Sequence, residues 1–555
     1  MIRARFIVAA LLVLVTGAAP AKSVLHPREA AIASAHPLAT AAGHEILKQG
    51  GNAFDAAVAV SAALAVVEPY SSGLGGGGFY LLHRARDGHE VFIDARERAP
   101  LAATADMFLD GTGEPVHERM REGALAAGIP GTPAALVHLA REYGRLPLAQ
   151  SLAPAIRLAR DGFEVDARFA ALTARAAGLL KRHGTDAFFI EGRAPRAGER
   201  LRLPALAATL ESIAADGAES FYRGELAARL VDGVQAAGGI WTREDLAEYK
   251  VIERAPLVGG FRGHRIVTAP PPSSGGTVLL GTLNILAGYD LERADTATRV
   301  HLLIESWRRA YRDRGQYLGD PAFVEVPVAR LIDRDYAAGL RAGIRLDRAT
   351  PSASLPAVTV NDGGSHTTHF SILDRGGNRV AATQTINFRY GAGLMPAGTG
   401  VVLNNEMFDF APKAGAPDGF ELVSAAANLV APGKRPVSSM TPTFVDGDDG
   451  VAILGTPGGS RIITMVTLGV LGWIDGHDAA TIAARPRFHH QFLPDVVSHE
   501  PDAFSPELRD ALTARGHELR ETPRRYGNMN VVTWKYSGNE VEAATDPRNE
   551  SLVDF

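Results

Sequence analysis

The stretch Asn361-Asp362-Gly363-Gly364-Ser365-His366-Thr367-Thr368-His369-Phe370-Ser371 decides the fold. Its first half is rich in turn-forming residues, which predicts an exposed loop. Residues 368–374 alternate, residues 375–378 are turn formers, and residues 379–386 return as a strand, so the sequence predicts a β-hairpin here. A loop therefore runs directly into a strand that begins at Thr367.

A threonine at the start of a strand can become an N-terminal nucleophile when the peptide bond before it is cut. The free α-amine then serves as the base for the hydroxyl of the same residue. The reference pKa of an α-amine, about 7.7–8.0, suits that task near neutral pH. Since threonine is common at strand starts, the pattern alone leaves a purely structural Thr367 as the alternative.

The character of the chain changes near this junction. Residues 101–336 are predicted to be mostly helical, for example residues 134–143, 152–161 and 300–317, with a proline-rich loop at residues 270–276. Strand candidates follow the hairpin at residues 400–403, 443–445, 451–454 and 530–534. The chain is thus predicted to be helix-rich before Thr367 and strand-rich after it.

A glycine-rich run, Ser72-Gly73-Leu74-Gly75-Gly76-Gly77-Gly78, contains a formal G-x-G-x-x-G. A dinucleotide-binding fingerprint needs a strand before the run and a helix after it. Here a helix is predicted to begin after an Asn52 N-cap and to precede the run, and strand-like residues 79–82 follow it. The order favours close approach of backbone segments in a crowded interior over nucleotide binding.

Composition narrows the function classes. The chain has 555 residues, 46% apolar and 21% charged, as in an ordinary globular enzyme, and its net charge of −5 argues against a nucleic-acid binder. The lack of cysteine excludes disulfides, thiolate metal sites and a cysteine nucleophile. His489-His490 could suggest a metal, but adjacent strand side chains point to opposite faces. We expect neither a metal nor a cofactor.

The N-terminal residues have the pattern of a signal peptide. Arg3 and Arg5 precede an apolar run at residues 6–15, and Ala19-Pro20-Ala21 fits the cleavage rule, which predicts removal of residues 1–21. The run is shorter than the roughly 20 residues that span a bilayer. We therefore expect an exported protein, periplasmic or secreted, without a stable membrane anchor; a buried N-terminal helix is the alternative.

Several ordered motifs resemble the γ-glutamyltransferases, also called glutathione hydrolases, over nearly the whole mature chain. The motifs before the junction are Asp55-Ala56-Ala57-Val58, residues 74–79, Asp94-Ala95-Arg96-Glu97, residues 270–276 and Tyr317-Leu318-Gly319-Asp320-Pro321. Those from the junction onward are residues 367–371, 404–410, 434–440, 455–461 and 485–490.

The resemblance implies the fold and its maturation. It implies the αββα sandwich of the N-terminal-nucleophile hydrolases, an α+β fold formed by two subunits cleaved from one precursor. The cut is expected between His366 and Thr367, giving a helix-rich large subunit of residues 22–366 and a strand-rich small subunit of residues 367–555. The two would share one fold as a heterodimer.

The resemblance also implies the site. Thr367 matches the nucleophile, Thr385 the threonine that orients it, and Gly458 and Gly459 the oxyanion hole. The residues that match the substrate-binding positions are Arg96, Ser438 and Ser439 for the α-carboxylate of a γ-glutamyl group, and Asn387, Glu406 and Asp409 for its α-ammonium. A guanidinium suits a carboxylate, and acidic groups complement an ammonium.

The implied reaction attacks a γ-glutamyl amide, forms an acyl-enzyme and passes the glutamyl group to water, an amino acid or a peptide. Glutathione is the expected donor class. One alternative is a family relative that acts on glutaryl cephalosporins or on poly-γ-glutamate. The other is an exported binding protein whose catalytic site is dead.

One departure from the family concerns residues 411–432, which resemble a lid loop over the bound glutamyl group. Phe420 occupies the position of a lid tyrosine by its spacing from the flanking motifs. The ring is kept and the hydroxyl is lost, so the lid is expected to open more readily. The alternative is that Phe420 only packs against its neighbours.

Overall fold

The computed structural model describes residues 25–355, 367–415 and 425–548. The predicted signal peptide, His366 and the lid position Phe420 lie outside these ranges. In the described part of the chain, no helix combines the length and the apolar character needed to cross a membrane.

The strands are β1 (Ala31–Ser34), β2 (Gly77–Arg84), β3 (His89–Ala95), β4 (Phe163–Glu164), β5 (Arg200–Leu201), β6 (Ile252–Arg254), β7 (Leu257–Phe261), β8 (His264–Thr268), β9 (Thr368–Leu373), β10 (Arg379–Thr385), β11 (Thr443–Gly447), β12 (Gly450–Gly455), β13 (Phe488–His489), β14 (Val497–His499), β15 (Leu519–Glu521), β16 (Asn530–Lys535) and β17 (Glu540–Thr545).

The α-helices are α1 (Pro37–Lys48), α2 (Ala53–Val67), α3 (His117–Arg121), α4 (Thr132–Glu142), α5 (Leu148–Asp161), α6 (Ala167–Arg182), α7 (Pro204–Asp216), α8 (Ala218–Tyr222), α9 (Glu225–Ala236), α10 (Arg243–Ala247), α11 (Gly275–Leu286), α12 (Thr296–Tyr317), α13 (Val328–Leu331), α14 (Arg334–Ala342), α15 (Ile462–Ile474), α16 (Ala479–Ala484) and α17 (Pro506–Ala514).

Two six-stranded antiparallel sheets form the centre of the fold. The first has the order β1-β9-β10-β2-β3-β6 and the second the order β17-β16-β12-β11-β8-β7. They stack face to face, and hydrogen bonds join them: the Asn530 amide donates to His369 O at 2.9 Å, and the Ser371 hydroxyl donates to Asn530 O at 3.1 Å. Both sheets contain strands from each side of Thr367.

Alternation along the strands sorts side chains between two cores. On β2, Phe79 and Leu81 join the core between the sheets with Ile453 of the second sheet, whereas Tyr80 and Leu82 face the helices outside the first sheet. Helix α2 covers β9 and β10 of the first sheet, while α11 and α15 cover the second sheet and α12 packs on α11. The four layers make an αββα sandwich, as predicted.

Local predictions around the two sheets are largely confirmed. The predicted hairpin is β9 and β10, and the later strand candidates are β11, β12 and β16. Asn52 caps α2 by accepting from the N–H groups of Phe54 and Asp55, and Asp55 completes a capping box. All of α2 is buried, since its small side chains allow close packing.

One strand prediction is wrong. Residues 400–403 are not a strand; Leu403 makes only an isolated bridge with Gly75, and Gly400 is left-handed, with a φ of 67°. The region of residues 101–336 is mostly helical, as predicted, but it also contains β4 to β8, which were not predicted. These strands have two to five residues, and β6 and β7 are mostly half-exposed, so they lack a long apolar alternation.

The glycine run serves close backbone approach, as the order of elements predicts. A Cβ on Gly76 would lie 2.0 Å from Thr385 O, and one on Gly75 would lie 2.0 Å from Val402 O. Real Cβ atoms do not approach oxygen so closely. The run therefore lets β10, which ends at Thr385, lie directly against the segment that enters β2.

Gly76→Ala should destabilise the protein by about 1–3 kcal/mol, the usual cost of overpacking an interior. Gly339→Ala is the control, because Gly339 lies within α14 and a Cβ there meets no atom within 4 Å. The control should be neutral or slightly stabilising, since alanine favours helix. Thermal unfolding of both variants checks this, and equal midpoints would contradict the packing role of Gly76.

Candidate active site

The pairing of β9 with β10 brings two predicted hydroxyls together. Thr368 pairs with Gln384, so Thr367 and Thr385 are neighbours across the end of the hairpin. Their Oγ1 atoms are 3.3 Å apart. The N–H of Asn387 donates to Thr385 Oγ1 at 2.8 Å, and a hydroxyl that accepts in this way can still donate its own proton. Thr385 can therefore orient the Thr367 oxygen.

Asn387 links this hydroxyl pair to the acidic part of the site. Its φ is 71°, a left-handed conformation that asparagine tolerates better than most residues. The side-chain amide donates to Asp409 Oδ1 at 2.9 Å and to Asn405 O at 3.1 Å. The turn after β10 thereby holds an acidic side chain at a fixed position relative to Thr367.

Arg96 follows β3 and is completely buried. It makes five hydrogen-bond contacts, as many as a guanidinium has N–H groups. The acceptors are Pro436 O at 3.2 Å, Val437 O at 3.3 Å, Glu97 Oε2 at 3.5 Å, Glu406 Oε1 and Asp409 Oδ2. The predicted carboxylate-binding and ammonium-binding residues thus form one ionic cluster.

The carboxylates of this cluster hold protons more tightly than usual. Burial raises the pKa of Glu406 and of Asp409, although the charge of Arg96 acts in the opposite direction. Burial also raises the pKa of Glu97 to about 7. Glu406 Oε2 is buried and has no hydrogen-bond partner among the described residues. A buried acceptor of this kind is suited to a cationic ligand group.

Gly458 and Gly459 form the turn between β12 and α15. Their φ angles are 144° and 57°, which a side chain would strain. The O–H of Tyr311, on α12, donates to Ser460 O at 2.5 Å and fixes the far side of the turn. Glycine at these two positions leaves the backbone accessible beside the cavity.

The proline-rich loop at residues 270–276 forms hydrogen bonds with the backbone of Ser438, the first residue of the predicted Ser438-Ser439 pair. Ser438 O accepts from both the N–H and the hydroxyl of Ser274, each at 2.7 Å. The N–H of Met440 donates to Ser438 Oγ at 3.1 Å, which leaves the Ser438 proton able to donate. Ser439 is also buried, and both serines border the same cavity as Thr367.

The predicted site residues meet at one cavity. Its predicted lining residues are Arg96, Thr367, Thr385, Asn387, Glu406, Asp409, Ser438, Ser439 and Gly459. Gly458 is adjacent to this lining, whereas His366 and Phe420 lie outside the described residues.

One charged residue of the cavity lining, Arg314, is not among the residues predicted from the sequence. Its side chain is buried, and its Nε donates to Ser274 Oγ at 3.0 Å. Arg314 falls within the predicted helix of residues 300–317, directly before a family-like motif. That helix holds several arginines, so spacing alone does not reveal which of them faces the cavity.

Four buried histidines away from the cavity, His301, His489, His490 and His517, have protein partners. His489 Nδ1 lies 2.9 Å from Thr464 Oγ1 and His490 Nε2 lies 3.1 Å from Asp495, so the adjacent pair makes separate contacts. In the described part of the chain, His301, Glu305 and His517 form one group with the spacing of metal ligands. Glu305 already accepts from two arginines and a threonine, which makes the group a poor cation site. These donors are Arg308, Arg309 and Thr350.

Comparisons with known proteins identify the family of the chain. The family model described as Gamma-glutamyltranspeptidase matches residues 39–553. The chain is 44% identical to a glutathione hydrolase proenzyme of Pseudomonas sp. (strain A14), covering 88% of this chain and 86% of that protein. It is 40% identical to the glutathione hydrolase proenzyme of Escherichia coli (strain K12), covering 95% and 92%.

Among solved structures, the cephalosporin acylase from Bacillus halodurans superposes with a TM-score of 0.83 at 30% identity. The match covers 97% of this chain and 98% of that chain. The fold of this chain is therefore shared with a protein named cephalosporin acylase.

The pKa of Glu97 predicts a pH effect on stability. A pKa raised from 4.5 to about 7 on folding means that the stabilisation is complete below pH 4.5 and is lost as the pH rises towards 7. Glu97→Gln should therefore flatten the fall of the unfolding midpoint over this range. The exposed Glu219→Gln is the control and should leave the profile unchanged. Parallel profiles for wild type and Glu97→Gln would contradict the assignment.

Proposed function

Because the chain belongs to the gamma-glutamyltranspeptidase family, it is a γ-glutamyltransferase and glutathione hydrolase, and we propose that Thr367 is its nucleophile. One observation carries the assignment of residues. The Thr367 hydroxyl lines the same cavity as a buried cluster of carboxylates, one of whose oxygens has no partner among the described residues. A nucleophile beside an anionic pocket suits a substrate with an ammonium close to its amide.

The proposed chemistry begins with the free α-amine of Thr367. It takes the proton of the Thr367 hydroxyl, and Oγ1 attacks the γ-carbonyl carbon of the donor. Thr385, 3.3 Å away, orients this oxygen. The C–N bond of the amide breaks, the leaving amine takes the proton, and an acyl-enzyme remains. Water or an amine acceptor then attacks the ester and releases the glutamyl group.

The negative charge that develops on the carbonyl oxygen needs hydrogen-bond donors. The turn at Gly458 and Gly459 lies at the cavity, and backbone N–H groups in such a turn can face an oxyanion. The positive φ angles of both residues explain why glycine is needed for this approach. We assign the oxyanion hole to this turn.

The α-ammonium of the donor is assigned to Glu406, Asp409 and Asn387. Asn387 donates to Asp409 Oδ1 and so keeps this carboxylate in place. A glutaryl donor, as in a cephalosporin acylase, has no ammonium and gains nothing from two acidic groups. The pair therefore supports a γ-glutamyl donor over the acylase alternative. Arg96 is assigned to the α-carboxylate, with Ser438 and Ser439.

Maturation is proposed to use the same hydroxyl. Thr367 Oγ1 attacks the carbonyl carbon of His366, the C–N bond breaks with a proton passing to the nitrogen, and water hydrolyses the ester. The products are residues 22–366 and 367–555. Both sheets contain strands from each product, which supports one fold shared by two subunits.

Glutathione and other γ-glutamyl compounds are the proposed donors, and amino acids or peptides the proposed acceptors. The signal-like pattern of residues 1–21 supports export to the periplasm or the medium. The alternative of an exported binding protein has less support, because the Thr367 and Thr385 hydroxyls are paired beside a glycine turn. A binding protein would not need that arrangement.

Thr367→Ala should remain a single chain and have no γ-glutamyl hydrolase activity, because it lacks the attacking oxygen. Thr367→Ser keeps the hydroxyl and is the matched control, which should be cleaved and retain activity. A denaturing gel with N-terminal sequencing should show a wild-type fragment that begins at Thr367. An active, cleaved Thr367→Ala protein would refute the mechanism.

Asp409→Asn should be cleaved normally but should lose γ-glutamyl turnover. Removing one partner of a buried charge pair costs roughly 2–5 kcal/mol, so kcat/KM should fall by about 30-fold or more. Turnover of a glutaryl anilide should fall less, since that donor has no ammonium. Equal losses on the two donors would show that Asp409 does not contact the ammonium.

A further inference from the structure

The contacts of Arg96 limit what it can offer a substrate. Its five hydrogen-bond contacts already equal the number of guanidinium N–H groups. Two of the acceptors are the backbone oxygens of Pro436 and Val437, which fix the position of the guanidinium. To bind an α-carboxylate, Arg96 must share or release a contact with a buried carboxylate.

The net charge of the cluster also limits how well Arg96 can bind an α-carboxylate. One guanidinium faces three carboxylates, Glu97, Glu406 and Asp409. When all are ionised, the formal sum of +1 and −3 is −2. An arriving α-carboxylate would add another negative charge in a buried site, where charge interactions are poorly screened. The donor ammonium and the protonation that burial favours in this cluster offset part of this charge, and a second cation beside the position that the donor carboxylate takes would offset more of it.

Arg314 has the required position and burial. It projects from α12, it is 2% exposed, and it lines the cavity together with Ser438 and Ser439. Its Nε donates to Ser274 Oγ, and Ser274 in turn donates twice to Ser438 O. The Arg314 guanidinium is therefore linked through Ser274 to the side of the cavity that Ser438 and Ser439 form, which we call the serine side. Arg96 is bonded to the carboxylates of Glu406 and Asp409.

We propose that Arg314 is a second arginine of the α-carboxylate subsite and binds the donor carboxylate together with Ser438 and Ser439. This inference rests on the γ-glutamyl function proposed above. Arg96 then has two roles: it neutralises the acidic groups that hold the ammonium, and it contacts the near edge of the carboxylate. The carboxylate of the donor would then lie between the two guanidinium groups.

The electrostatics of Asp409 agree with this placement. Burial raises the pKa of Asp409, and the positive charge of Arg314 is one of the influences that oppose the rise. Arg314 is thus close enough for its charge to act on the pKa of Asp409, the carboxylate assigned to the donor ammonium. A cation at that distance also disfavours a donor that places its ammonium on the serine side, which helps to select the orientation of the substrate.

Arg314 could instead act only by holding the Ser274 loop against Ser438. A loop support acts through the Ser274 hydroxyl, so it predicts that Ser274→Ala gives the same losses as Arg314→Gln, whereas a direct ligand predicts smaller losses for Ser274→Ala. A general disturbance of the fold would affect every donor, whereas a carboxylate ligand matters only for donors that carry the carboxylate. Three anilides separate these cases: γ-glutamyl, which has both groups, glutaryl, which lacks the ammonium, and 4-aminobutyryl, which lacks the carboxylate.

The experiment measures kcat/KM of the cleaved wild type, Arg314→Gln, Arg314→Lys and Ser274→Ala on the three anilides. A donor that is too slow for a rate is measured as a competitive inhibitor of the γ-glutamyl anilide, so each donor yields a constant. Arg312→Gln is the control, because Arg312 lies on the same helix, pairs with Asp313 and is not a lining residue. Fragment formation on a gel reports folding and cleavage.

Arg314→Gln should weaken the γ-glutamyl and glutaryl donors by about 30-fold and change the 4-aminobutyryl donor by less than about 3-fold. Arg314→Lys keeps the charge without the planar fork and should give intermediate losses on the same two donors. Equal losses on all three donors, no loss on any, or the same losses for Ser274→Ala as for Arg314→Gln would overturn the proposal. Failure of the proposed function is seen separately, as a wild type without γ-glutamyl turnover.

If Arg314→Gln is not cleaved, the proposal is tested with Arg314→Lys instead. The inhibition constants of the donors for this variant are then compared with those for the wild type. The proposal then requires that the lysine variant lose affinity for glutaryl compounds but not for 4-aminobutyryl compounds. The same affinity ratio as in the wild type would overturn it. The Arg312→Gln control should match the wild type on all three donors.

Discussion

The antiparallel register of β9 and β10 is the constraint on which the rest of the site depends. It places Thr367 beside Thr385 at the end of the hairpin. On its other side, β10 pairs with β2, and Thr385 lies opposite Gly77. A slip of one residue would turn every side chain of the strand to the other face. The glycine run and the turn at Asn387 are therefore parts of one arrangement that places the Thr367 hydroxyl at the cavity.

The buried ionic cluster around Arg96 has a different purpose from stability. The free energy needed to remove several charges from water can exceed the free energy gained from their mutual attraction. Apolar residues of similar volume would therefore stabilise this position as well or better. What the cluster provides is a fixed set of charges in a region of low dielectric. It joins the end of β3 to the segment around Glu406 and Asp409. In its proposed role, the cluster would make recognition of the donor depend on the correct assembly of both parts of the chain.

Much of the fold and site could be predicted from local sequence. The hairpin, the Asn52 cap and the glycine run each have a signature that spans a few residues, and the ordered motifs locate the cavity residues. Residues 400–403 mislead because alternation says nothing about the left-handed Gly400. Strands β6 and β7 are missed because they are short and mostly half-exposed. Arg314 could not be distinguished from the other arginines of α12, since its role depends on which face of the helix meets Ser274.

Both sheets combine strands from before and after Thr367, and this affects how the protein can refold. Folding of the uncut chain is a unimolecular process in which all strands are tethered together. A cut before Thr367 would remove that tether while leaving every strand pair in place. Reassembly after unfolding would then require two separate polypeptides to meet, and would depend on concentration. The mature form would persist mainly because it unfolds slowly, so maturation would exchange reversibility for kinetic persistence.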